Sequence, residues 1–224
     1  GLFLPDREAK STTTHRRVDI DGRWGISDLS QFSDLVQDCY AFVFALKGRG
    51  PQKTQEKTEK LFQKYPWRGG YSSVNFFDDL YRIIPQSEKA TIRSIQYASP
   101  GAIEMNLNEE VADSIRAIVS EINNKNSRIS ATYKEVHDWL RENKWLGKSS
   151  RDIALRQNDK EALITRIATL TNQFGLQGQK DKILSLSTSD PLGAVKILLA
   201  YYRRLERLAD YVATGKAQHL FSET

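Results

Sequence analysis

From Asn108 to residue 215 the apolar side chains recur at spacings of three and four almost without a break. A run of this kind buries one stripe per helix and leaves no stretch of alternation for a strand. Helices are expected at about 108–124, 130–145, 151–174, 179–187 and 190–214. Asn108 with Glu109 and Glu110 reads as a cap that sets acids at the positive end of the helix dipole. Asp190-Pro191 opens the last helix with proline at its first position, and Gly215 closes it. Val195, Leu198, Tyr201, Leu205, Leu208 and Val212 form its continuous apolar stripe.

The first half is mixed. A short strand is expected at 17–21, followed by an amphipathic helix at 28–46 marked by Leu29, Phe32, Leu35, Val36, Cys39, Tyr40, Val43 and Leu46 and capped by Ser27 or Asp28. Shorter helices are expected at 52–64 and 73–84, the second burying Val74, Phe77, Leu80, Tyr81 and Ile84 before Pro85 stops it. Residues 91–98 and 102–107 alternate, with Arg93, Ile95 and Tyr97 on one face of the first strand and Ile103, Met105 and Leu107 on one face of the second. Ser99-Pro100-Gly101 between them suits a type II turn, with glycine supplying a positive φ. A lone hairpin is marginal, so the strand at 17–21 or the helix at 28–46 must support it.

These elements predict a helix-dominated α+β fold. A small antiparallel sheet with packed helices spans 17–124, and a helical region spans 130–215, the two sharing one compact unit. Residues 1–16, docked in part through Leu2, Phe3 and Leu4, and residues 216–224 are expected as tails. Residue 1 is Gly and the one methionine is Met105, which leaves room for an activity carried by residues before Gly1.

Little local chemistry is spelled out. The single cysteine, Cys39, lies in an apolar run and excludes both an internal disulfide and a thiolate zinc site. The apolar run from Cys39 to Leu46 is far shorter than the ~20 residues of a membrane span. No secretory pattern opens the chain, so the cytoplasm is the expected compartment and no membrane is expected as a partner. His15 and His219 fall in the expected tails, and His137 has no second histidine one turn away. Neither a phosphate-binding glycine loop, a dinucleotide fingerprint nor a nucleophile elbow is present. No catalytic residue, metal ligand or cofactor can be named.

Charge is more informative. Between 47 and 72, Lys47, Arg49, Lys53, Lys57, Lys60, Lys64 and Arg68 oppose only Glu56 and Glu59, an excess equal to the whole net charge of +5. Tyr65, Trp67 and Tyr71 are interleaved, and Gly69-Gly70 allows close backbone approach. Basic groups neutralise phosphates and aromatic rings stack on bases. The candidate nucleic-acid contacts are therefore Lys47, Arg49, Lys53, Lys60, Lys64, Trp67 and Arg68, extended by Arg203, Arg204 and Arg207 of the last helix. The competing reading folds the aromatics back onto the core. It also laces Lys196, Arg203, Arg204 and Arg207 to Glu206 and Asp210 along an exposed helix face.

The segment from Ile92 to Gly101, ending in Tyr97-Ala98-Ser99-Pro100-Gly101, resembles a hairpin of poorly characterised bacterial proteins, some associated with mobile-element or conflict systems. The likeness extends in general layout from Val18 to Leu107. It implies a bacterial source and a sensing or adaptor part, and carries over no catalytic residue. Three readings of function follow. The first is a non-catalytic protein-interaction or adaptor module, one component of a larger assembly, that binds a protein partner or itself through an uncovered apolar helix face. The second is a nucleic-acid-binding protein using the 47–72 segment. The third is an enzyme whose site is gathered from distant positions.

Overall fold

A computed structural model of the chain describes residues 13–223. In chain order they form β1 (Thr13–Ile20), α1 (Ile26–Leu46), α2 (Gln52–Lys64), α3 (Gly70–Arg82), β2 (Thr91–Gln96), β3 (Gly101–Asn108), α4 (Glu109–Ile122), α5 (Ile129–Glu142), α6 (Gln157–Gln173), α7 (Lys180–Leu186), α8 (Pro191–Ala213) and β4 (Ala217–Glu223). The fold is α+β and helix-dominated, with one small antiparallel sheet of order β2-β3-β1-β4.

The hairpin gains its support from β1, which pairs with β3 from Thr13↔Asn108 to Ile20↔Gly101. The strand is longer than expected. Thr13–Arg16 belong to it and not to a tail, and the rest of that lead-in, with Leu2, Phe3 and Leu4, lies outside the described residues. The 216–224 tail is likewise corrected, because Ala217–Glu223 form β4 on the free side of β1. The return is pinned where α8 ends: Asp21 N–H donates to the Lys216 carbonyl at 3.0 Å, and Lys216 Nζ donates to Asp28 Oδ1 at 2.8 Å.

Helix starts follow side-chain chemistry. Asn108 accepts from Val111 N–H, and Asp190 accepts from the N–H groups of Leu192 and Gly193. The cap of α1 is Gly25 and not Ser27 or Asp28; Asp28 sits three residues on and takes the Gly25 N–H at 2.9 Å. The helix expected from 151 begins only at Gln157, since Ser150–Asp152 turn as a short 3-10 segment. Val74 is 64% exposed, and α3 buries Ser73, Phe76, Phe77 and Leu80 instead. Gly101 does not adopt a positive φ. Its requirement is space: a Cβ there would lie 2.4 Å from the Gln96 carbonyl oxygen.

Two helices run through the middle. α1 packs on α3, α4 and α8, and α8 packs on α1, α4 and α6. Every residue of α1 from Cys39 to Leu46 and of α8 from Pro191 to Tyr202 is buried. Phe42 meets Tyr201 at 4.4 Å between ring centroids, and Tyr202 stacks on Tyr133 at 4.2 Å. Each such ring contributes roughly 1.5–3 kcal/mol of burial. Cys39 lies within this core, where burial pushes its thiol pKa up and suppresses the thiolate.

Candidate functional site

The basic, aromatic segment folds as α2 and the loop that follows it, and most of its cations meet acids from elsewhere. Glu110 at the start of α4 takes Arg49 and lies 3.6 Å from Lys47. Asp79 takes Lys64 at 2.6 Å together with the Tyr65 hydroxyl, and these two bonds hold its carboxyl below the usual carboxylate range. Asp152 accepts from Arg68 Nε at 2.8 Å. Trp67 is 6% exposed and packs edge-on against Phe76 at 5.1 Å, and Tyr65 is buried beside it. Tyr71 alone of the three aromatics faces solvent. Lys53, Lys57 and Lys60 point outward from α2, and Arg203 and Arg207 from α8. Arg207 donates to Gln31 at 3.2 Å. The ten candidate contacts therefore do not gather into one surface of free cations.

The charges of α8 are not laced along the helix. Glu206 accepts from the Tyr202 hydroxyl at 2.9 Å, and Arg204 reaches across to Asp38 on α1. Lys196, expected on an exposed stripe, is 7% exposed. Its Nζ shares three N–H donors among four carbonyl oxygens, those of Trp67 at 3.0 Å, Trp145 at 2.6 Å, Leu146 at 3.0 Å and Lys148. Burial draws its pKa down to about 8, while Asp190 and Asp152 act in the opposite direction. One ammonium thus ties the loop after α2 and the loop after α5 to the central helix. His137 stacks on Tyr133 at 5.8 Å, and among the described residues no three His, Cys, Asp or Glu side chains gather as a metal site. Among the same residues, no single helix is long and apolar enough to cross a membrane.

Uncovered apolar surface gathers at the edge of the sheet. Every residue of β2 is exposed, and among the described residues its outer edge has no strand beside it. Ile92 is 43% exposed, Ile95 42% and Tyr97, just beyond the strand, 63%. The pairing with β3 sets Ile92 opposite Met105 and Ile95 opposite Ile103, and shifts register between Ile92 and Ser94. That bulge changes the expected faces. Ile92 and Ile95 now share the side of the sheet that carries the core, while Arg93 lies on the other side, 2.7 Å from His15. Ser94 also turns to that other side and donates to Glu104 at 2.9 Å. On the core side, α1 stops short of β2. An apolar groove of about 230 Å³ runs between Val36 on α1 and Ile92 on β2, with Met105 in its lining.

Sequence reasoning looked for an uncovered helix face and passed over Ile92, because strict alternation sets positions 92 and 95 on opposite faces. The available signal was the Ile-x-x-Ile spacing inside a strand next to a turn, which only a bulge can bring to one side.

Comparison with family models, with curated proteins and with solved structures finds no match for this chain.

Proposed function

We propose that the chain is a non-catalytic protein-interaction module whose docking surface is the outer edge of β2 with the groove beside α1, and that the occupant is a second copy of the chain. The observation that carries the reading is the bulge at Arg93, which gives one unpaired edge two isoleucines on the same face. An open edge with apolar side chains is a template for an added strand.

The bulge also favours a second copy as the occupant. A regular strand laid along β2 falls out of step across Arg93, whereas a second copy carries the same irregularity. Antiparallel pairing about a two-fold axis between Arg93 and Ser94 sets Ile92 against its counterpart's Ile95, and Ile95 against Ile92. Such a contact is self-complementary, as a two-fold interface must be. Cross-strand apolar pairs of this kind contribute roughly 0.2–1 kcal/mol each in addition to the backbone hydrogen bonds.

Light scattering on the eluting protein tests the proposal. The parent chain is expected as a dimer at tens of micromolar, and the double variant Ile92→Lys, Ile95→Lys as a monomer with an unchanged circular dichroism spectrum. A monomeric parent overturns the proposal, and so does a dimer that survives both substitutions.

A further inference from the structure

The side of the sheet away from the core carries charge that a single copy leaves unmatched. Glu104 on β3 is half-buried and accepts the Ser94 hydroxyl at 2.9 Å. Arg17 stands opposite it on β1, but its Nε donates to Asp19 at 2.6 Å. Among the described residues no cation lies within ion-pair distance of Glu104. Arg93 is in the converse position. It is exposed, and its guanidinium reaches back over its own sheet to the His15 ring at 2.7 Å and meets no carboxylate among the described residues. An imidazole is a weaker partner for a guanidinium than a carboxylate, whose two charged oxygens accept together.

The bulge sets the two charges in line. Ser94 pairs with Glu104, and Arg93 and Ser94 share the side opposite the core. A two-fold axis between Arg93 and Ser94 brings the Arg93 of a second copy beside Ser94, on that same side. The arginine of one copy then stands in one row with Ser94 and Glu104 of the other. Its span to Glu104 is two strand spacings, about 10 Å. An extended arginine and a glutamate together cover that distance. The symmetry repeats the row, so the contact holds two such pairs.

On the two-copy reading above, we infer that Arg93 of each copy pairs with Glu104 of the other, and that these two ion pairs fix the register and reserve the edge for a copy of this chain. Arg93 exchanges its own His15 for the opposite Glu104 by side-chain rotation alone, the commonest change at an interface. An unrelated apolar strand can match the isoleucines, but it leaves Glu104 without a cation.

Sedimentation of the whole chain at low salt, across a dilution series, is the test. Arg93→Glu and Glu104→Arg each put like charges in both rows, and each is expected to weaken self-association about tenfold or more. Glu104→Gln keeps an oxygen for the Ser94 hydroxyl and removes only the charge, so it should weaken association several-fold with an unchanged melt. The decisive sample is an equimolar mixture of the two charge-reversed chains, each with the circular dichroism spectrum of the parent. There every row sets a glutamate against an arginine, and a heterodimer about as tight as the parent dimer is expected. Both chains keep a positive net charge, so long-range attraction does not account for that heterodimer. His15→Ala should not weaken the parent dimer. A dimeric parent whose association ignores all three charge substitutions overturns the ion pairs and leaves the second-copy reading standing. A mixture that forms no heterodimer does the same, and so does a His15→Ala chain as weakly associated as Arg93→Glu. A monomeric parent overturns both.

Discussion

Arg204 of α8 donates from Nε to the Asp38 carboxylate of α1 at 2.5 Å, with its guanidinium 3.7 Å above the ring of Phe77. Its other nitrogens reach the Ser73 hydroxyl and carbonyl at 3.0 and 3.1 Å, so one side chain joins α1, α3 and α8. Removing one partner from a buried pair leaves an uncompensated charge. Arg204→Ala is expected to lower unfolding free energy by ~3 kcal/mol in denaturant titration. Arg204→Lys should recover only part, since an ammonium cannot span Asp38 and Ser73 with one planar fork.

The same pair sets a pH dependence. Burial raises the Asp38 pKa and Arg204 opposes that rise. In Arg204→Ala the opposition is gone and the folded-state pKa climbs further above the unfolded value. A carboxyl of that kind binds its proton more readily in the fold, so stability falls as pH rises through the window between the two values. The deficit of Arg204→Ala should therefore grow as pH rises from the acid range toward neutrality. A deficit that does not change with pH would show that Asp38 is not the group involved.

Lys196→Met keeps most of the side-chain volume but takes the ammonium away from the carbonyl oxygens of Trp67, Leu146 and Lys148, while the Trp145 carbonyl keeps the Lys148 N–H at 3.1 Å. Each orphaned buried acceptor costs about 1–3 kcal/mol, offset by the desolvation no longer imposed on a buried ammonium. A net loss of roughly 2–4 kcal/mol is expected. Amide hydrogen exchange should quicken first at 66–72 and 145–149, the two loops that the ammonium holds.

Asp152 carries the opposite linkage. The Arg68 side chain first, then the Ser149 N–H and hydroxyl, hold its carboxyl well below the usual carboxylate range. A group with a depressed folded pKa contributes stability that is present above its unfolded value and lost as pH falls through the folded one. Asp152→Asn is expected to be less stable than the parent at neutral pH. The gap should close as acid protonates the parent's carboxylate, which thermal melts across the acid range would show.

Gly101→Ala places a Cβ against the backbone oxygens and nitrogen of Gln96 and Ala98, at 2.4 to 2.8 Å. Backbone atoms cannot swing aside as a flexible side chain does. A loss of about 2 kcal/mol is expected, together with faster exchange along β2, and a neutral melt would mean that the turn rearranges freely.

The helices were legible because their stripes repeat many times over. The hairpin was legible because Ile103, Met105 and Leu107 alternate against a Pro-Gly turn. β4 was not. His219 and Phe221 hold positive φ of 47° and 55°, and the pairing with β1 slips between Arg17 and Asp19, so no clean alternation is written in its sequence. β1 reads as polar at its start because Thr13 and His15 lie on the open side of the sheet. Lys196 looked like a surface charge because its four acceptors come from segments 48 to 129 positions away, and the helical pattern carries no trace of them. The candidate edge was half visible. Its isoleucines stand in the sequence, but the bulge that unites them is a property of the pairing.

The sheet joins segments that leave the ribosome far apart in time. Asp19 of β1 lies 3.0 Å from His219 of β4, a separation of 200 positions. Until the β4 residues emerge, the nascent chain holds β1 with one bare flank, so synthesis itself dictates when the sheet can be completed. Trimming Ala217–Glu223 would recreate that half-finished state and exchange the outer edge of β4 for a bare β1 on the side away from β2.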